Sequence, residues 1–154
     1  MDRQEISRVV ERVVNEVKGS SITLSMAKDL AGRMEERAGQ MGLCVVVAIV
    51  DKGARPVLIH CMDGAYIASY DIALNKAFTS AGLKMSTAEL AKLSGPEGPL
   101  YGIQHTNEGR IVIFGGGEPL QRNGCIIGAL GVSGGTLDED TYLAAYGRKL
   151  FEQS

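Results

Sequence analysis

The stretch LCVVVAIVDKGARPVLIHCM, residues 43–62, decides the fold class. Leu43–Asp51 and Pro56–Met62 are apolar runs rich in β-branched residues, and the turn-forming link Lys52-Gly53-Ala54-Arg55 joins them. This is the pattern of a β-hairpin. A link this short joins antiparallel strands, because a parallel crossover needs a dozen or more residues. Pro56 opens the second strand, which places it at a sheet edge or at a strand end.

Downstream, Asp63-Gly64 breaks the strand. A helix is predicted from about Ala65 to Leu83; its alanine content and apolar character on most sides predict burial and close packing. Ser86 and Glu89 cap a short helix to Leu93, and a Pro- and Gly-containing loop covers Ser94–Pro99. Arg110–Phe114 and Cys125–Val132 read as strands, with Asn123-Gly124 as the hairpin turn before the second. Thr136 and Glu139 open a C-terminal helix reaching about Phe151. Upstream, Thr23 caps a helix from Leu24 to about Met41, apolar at Leu24, Ala27, Leu30, Ala31, Met34 and Ala38, with Gly42 as its stop. The order predicts an α+β domain in which helices pack on an antiparallel sheet.

Residues 2–18 carry a separate signal. Ile6, Val9, Val10, Val13, Val14 and Val17 fall at helical spacing. Asp2 with Glu5 suits the start, and Gly19 the end, of an amphipathic helix. Every residue of the stripe is β-branched, so four to five turns of such a helix are marginal in isolation and need a surface to dock on. Gly19-Ser20-Ser21 reads as a flexible joint. This divides the chain into an extension, residues 1–20, and a domain, residues 21–154.

The bulk composition bounds the function. The 154 residues carry a net charge of −2 with interspersed signs, which argues against nucleic acid as a partner. The longest apolar run, Leu43–Val50, is far short of the about 20 residues that span a bilayer. Cys44, Cys61 and Cys125 are odd in number, lack metal spacing and lie in apolar segments, so they are expected to be small buried hydrophobes in a reducing cytoplasm.

Several residues could carry chemistry. Gly115, Gly116 and Gly117 follow an expected strand, where they would either present backbone N–H groups to an anion or form a sharp bend. Lys76 lies on the alanine-rich helix, so it should pair with a carboxylate, Asp63 or Asp71 being nearest, or face a bound anion. His60, near a strand end, and His105, in the loop-like segment Tyr101–Asn107, are the two histidines and the candidate haem-iron ligands, with His105 the favoured one. Tyr101 and Gln104 belong to the same segment. No nucleophile elbow is present, and no residue set defines a catalytic site.

Three blocks resemble the GlcG/HbpS-like haem-binding family. They are Met62-Asp63-Gly64-Ala65 with the helix through Lys76-Ala77, Arg110–Leu120 around the glycine run, and Ile127–Thr136 followed by Asp138-Glu139-Asp140. The likeness covers about residues 22–152, and the family includes the C-terminal domain of the corrinoid adenosyltransferase PduO. The resemblance implies a profilin-like sheet, homo-oligomers and, in some members, haem. It brings no established catalytic set. Family members begin near the second helix, and residues 2–18 resemble the encapsulation peptides that dock enzymes onto bacterial microcompartment shells or cargo. The expected function is therefore binding of a small ligand or cofactor, with haem as the cofactor. The expected pocket is formed by Asp63, Lys76, Gly115–Gly117 and Tyr101–His105. The alternatives are an enzyme or accessory protein for a small carboxylate or aldehyde, and a structural assembly factor.

Overall fold

The computed structural model describes residues 2–18 and 21–154. The elements in order are α1 (Arg3–Lys18), α2 (Leu24–Gln40), β1 (Val46–Asp51), β2 (Pro56–Cys61), α3 (Ser69–Leu83), α4 (Thr87–Leu93), β3 (Gly117–Arg122), β4 (Cys125–Ser133) and α5 (Leu137–Glu152). The strands form one sheet in the order β2-β1-β4-β3, every pair antiparallel. The β1–β2 hairpin forms as its sequence predicts, and Pro56 opens an edge strand. Asn123 and Gly124, both at positive φ, make the tight β3–β4 turn.

Alternation along β1 builds two cores. Val45, Val47 and Ile49 join Leu30, Met34, Leu143 and Phe151 beneath α2 and α5. Val46, Ala48 and Val50 meet Ala73, Ala77 and Ala81 of α3 on the other face. Helices therefore cover both faces of the sheet in a profilin-like arrangement. The two cores differ in grain: the α2/α5 side is filled by large aliphatic side chains, whereas alanines let α3 approach the sheet closely.

Three expectations need correction. The helix predicted from Ala65 begins at Ser69, because residues 65–68 spend their backbone bonds in successive turns after Gly64, which has a φ of 82°. Arg110–Phe114 is not a strand. Its backbone is held by α3 instead, Val112 N donating to Thr79 Oγ1 at 3.0 Å, while Gly117–Arg122 takes the edge beside β4. The three cysteines are exposed rather than buried: Cys44 precedes β1, and Cys61 and Cys125 sit at strand ends, outside both cores.

In α1, Asp2 and Glu5 form the expected reciprocal cap. The stripe residues Ile6, Val9, Val10, Val13 and Val14 are 41–53% exposed, so this face has no covering partner among the described residues. The expected stop at Gly19 and the joint at Gly19-Ser20 lie outside the described residues. No described helix is long and apolar enough to cross a membrane.

Candidate functional site

Lys76 lies on the face of α3 that meets the sheet. Opposite it, β4 offers Gly131, where an added Cβ would fall 2.7 Å from Ala77 N. The Lys76 side chain is 1% exposed. Its Nζ donates to Val132 O at 2.8 Å and to Asp140 Oδ2 at 3.0 Å, and it lies 5.1 Å from the centroid of the Phe114 ring. Asp140 is in the first turn of α5, which Thr136 and Glu139 cap; its other oxygen accepts Gly135 N–H at 2.8 Å. Burial pushes the Lys76 ammonium below the usual lysine range, and Asp140 opposes that shift.

This pair explains the glycine run. Helices α3 and α5 cover opposite faces of the sheet, so their side chains can meet only past the place where β3 begins. Gly116, at a φ of 121°, keeps that passage open: a Cβ there would come within 2.5 Å of Lys76 Nζ and 2.8 Å of Val132 O. A Cβ on Gly117 would fall 2.6 Å from Lys76 O, and Gly117 N–H donates to Thr87 Oγ1 at 2.9 Å. All three glycines are buried.

The expected partners of Lys76, Asp63 and Asp71, are instead exposed and make no bond to it. Asp140 takes that place, because β4 carries the chain back along α3 and delivers the start of α5 to the lysine. Sequence distance hides this partner, whose acidic neighbours look like ordinary cap residues.

Beside the pair opens a cleft of about 350 Å³. Its polar floor is Ser69, Ser133 and Asp140, and its rim is Tyr66, Ile72, Phe114 and Leu137. Ser133 Oγ donates to Ser69 Oγ at 3.1 Å. The two serines are the last residue of β4 and the first of α3. In the sequence Ser133 stands out only as part of the Ile127–Thr136 block, and only the fold brings Ser69 alongside it.

The remaining candidates lie elsewhere. None of Asp63, Tyr101, Gln104 and His105 lines this cleft. Tyr101, Gln104 and His105 share one loop ending in a single 3-10 turn, Ile103–His105. Tyr101 is 68% exposed, and Gln104 Oε1 is buried without a partner among the described residues. The His105 ring is exposed and makes no hydrogen bond among the described residues.

His60 stands on β2 over a separate hollow of about 300 Å³ lined by Glu35, Ile59, His60, Cys61 and Met62. Its Nδ1 is paired with Glu35 Oε1 at 2.5 Å. With Nδ1–H donated to that carboxylate, Nε2 keeps its lone pair and makes no hydrogen bond among the described residues. Sequence reasoning missed Glu35, 25 positions away on α2. No cluster of three His, Cys, Asp or Glu side chains that could hold a bare metal ion occurs among the described residues.

The family model described as haem degrading protein HbpS-like matches residues 22–149. An uncharacterized 15.0 kDa protein from the dhaT-dhaS intergenic region of Citrobacter freundii is 46% identical over 125 residues, covering 81% of this chain and 88% of that one. The corrinoid adenosyltransferase PduO of Salmonella typhimurium is 39% identical over 109 residues, 71% of this chain but only 32% of that longer protein. A crystal structure of a PduOC–haem complex superimposes with a TM-score of 0.80 at 34% identity, covering 84% of this chain and 94% of that one. By sequence and by fold, the chain belongs to the HbpS-like family.

Proposed function

We propose that the protein binds haem through His60. One observation carries this reading: Glu35 engages His60 Nδ1 and leaves Nε2 free. A carboxylate behind an imidazole fixes its tautomer and orientation and raises its basicity as a ligand. Ile59 and Met62 supply apolar surface in the same hollow. The residues present therefore fit a haem held at the protein surface by one histidine, and the iron would supply redox or ligand-binding chemistry there. His105 lacks a comparable brace, which favours His60 although His105 is also accessible. The PduOC–haem complex supports the reading through its likeness in fold and sequence.

Hemin titration of the apo-protein should give a saturable Soret shift. His60→Ala should abolish it, His105→Ala should leave it, and Glu35→Gln should weaken affinity about 10- to 100-fold. A shift indifferent to His60→Ala would overturn the assignment.

We further propose that residues 1–20 are a docking extension on a domain spanning residues 21–154, and that the extension directs the protein to a microcompartment shell or its cargo in the cytoplasm. The uncovered valine stripe supports this, as does similarity to a PduO protein and to a protein from the dhaT-dhaS region. Residues 1–20 fused to a fluorescent protein should form puncta in shell-producing cells; diffuse signal would count against it. Homo-oligomerisation is part of the same proposal. Ile67, 97% exposed, and Tyr70, 45% exposed, are its candidate contacts, and Ile67→Asp should lower the mass seen in sedimentation.

A further inference from the structure

We propose that the cleft between the starts of α3 and α5 is a second ligand site, separate from His60, that takes a small neutral carbonyl compound: an amide, ketone or aldehyde on a short apolar or single-ring body.

The floor determines the polar end. Ser69 and Ser133 are 3% and 5% exposed, and one hydrogen bond links their hydroxyls. Two hydroxyls hold two protons and a single bond uses one. The remaining proton has no acceptor among the described residues, so this buried pair offers a donor to whatever fills the cleft. Neither serine hydroxyl is bonded to Asp140, whose oxygens accept from Gly135 N–H and Lys76 Nζ.

The charge of the wall determines that the ligand is neutral. Asp140 is the one charged residue on the lining, and Lys76 behind it compensates that charge. No cation lines the cleft. A carboxylate ligand would meet Asp140 with nothing opposite to hold it, whereas a carbonyl oxygen needs only the serine donor.

The rim determines the body. Tyr66 is 73% exposed, Leu137 56% and Phe114 44%. These are large apolar surfaces left open around a polar floor, the usual composition of a small-molecule site. The volume of about 350 Å³ lies near the lower end for such sites and accommodates a single ring.

Benzamide and benzoate are suitable probes, titrated into the ¹⁵N-labelled full chain and followed by amide shifts. Benzamide should give saturable shifts at Ile72, Gly134 and Gly135, with a Kd in the millimolar range or tighter. Benzoate should bind more weakly. Ser69→Ala should weaken benzamide about three- to tenfold, the loss of one hydrogen bond. Leu137→Arg alters only an exposed rim position and should block binding while leaving the melting temperature unchanged, so the proposal stays testable if Ser69→Ala folds poorly. Absence of saturable shifts, benzoate binding as tightly as benzamide, or benzamide affinity unchanged in Leu137→Arg would each overturn it. His60→Ala should not alter benzamide binding, which separates this site from the haem reading.

Discussion

Asp140→Asn tests the pairing that joins the two helical layers. The substitution is isosteric and keeps an oxygen for Gly135 N–H, but it removes the charge facing Lys76. At 3.0 Å and an effective dielectric of about 20, the lost attraction is roughly 5.5 kcal/mol. The desolvation of Lys76 remains, since its side chain is 1% exposed and held by Val132 O. Breaking a buried pair from one side costs about 3–5 kcal/mol, a large share of the 5–15 kcal/mol typical of a domain. For a chain of this size that is a fall of about 6–20 °C in melting temperature.

The pH dependence has a definite sign. The folded-state pKa of Lys76 lies below its unfolded value of 10.5, so between the two the unfolded chain holds the extra proton and stability rises with pH. Without Asp140 to oppose desolvation, the folded pKa drops further and the rising limb begins at lower pH, with a slope approaching about 1.4 kcal/mol per pH unit. Urea unfolding followed by circular dichroism from pH 7 to 10 measures both quantities. Lys76→Met in the Asp140→Asn background should recover part of the loss, because it removes the stranded charge. A loss under about 1 kcal/mol at pH 7, with an unchanged pH slope, would refute the account of a tightly desolvated pair.

Other consequences can be checked with the same unfolding assay. Gly117→Ala drives a methyl to within 2.6 Å of Lys76 O and 2.8 Å of Ser80 Oγ, so it should cost about 1–3 kcal/mol. Burial raises the folded-state pKa of Glu118 above its ordinary value, opposed by Arg148. The contribution of Glu118 is then fully present below about pH 4.5 and is lost as pH rises through the raised value. Glu118→Gln should remove that decline, visible as a flatter stability profile between pH 4.5 and 7. Deleting residues 2–20 should leave the unfolding midpoint of the domain unchanged, because the valine stripe is exposed rather than packed.

Local signals in the sequence transmitted the elements well. The caps at Thr23, Ser86 and Thr136 all form, and both hairpins follow from their turn residues. The misplaced strand has a different cause, which is that tertiary contact overrode local pattern. Arg110–Phe114 has strand composition, yet its backbone bonds to a threonine on α3, and the sheet edge goes instead to a segment containing Gly117 and Pro119. The reason is steric: the edge beside α3 admits no side chain at Gly117, a requirement that β-propensity does not register. The candidate site was legible in part. Lys76 stood out because a lysine on an alanine-rich helix needs a partner, but its carboxylate and the bracing Glu35 of His60 are long-range neighbours with no local mark.

The glycine run shows how one packing constraint generates the rest. Alanines on α3 and glycines on β3 and β4 bring that helix so close to the sheet that Lys76 cannot extend along its own layer. With Gly116 lacking a side chain, the ammonium passes the end of β3 and reaches Asp140, which fixes the first turn of α5 against the middle of α3. Beside that contact, the start of α3, the end of β4 and the first turn of α5 leave a cleft floored by Ser69, Ser133 and Asp140. Filling the passage with Gly116→Ala should therefore act on both properties, moving Lys76 Nζ off Asp140 and displacing the cleft floor. The expected result is a loss of stability together with a loss of benzamide affinity. A variant that lost one property and kept the other would show that the ion pair and the cleft are independent.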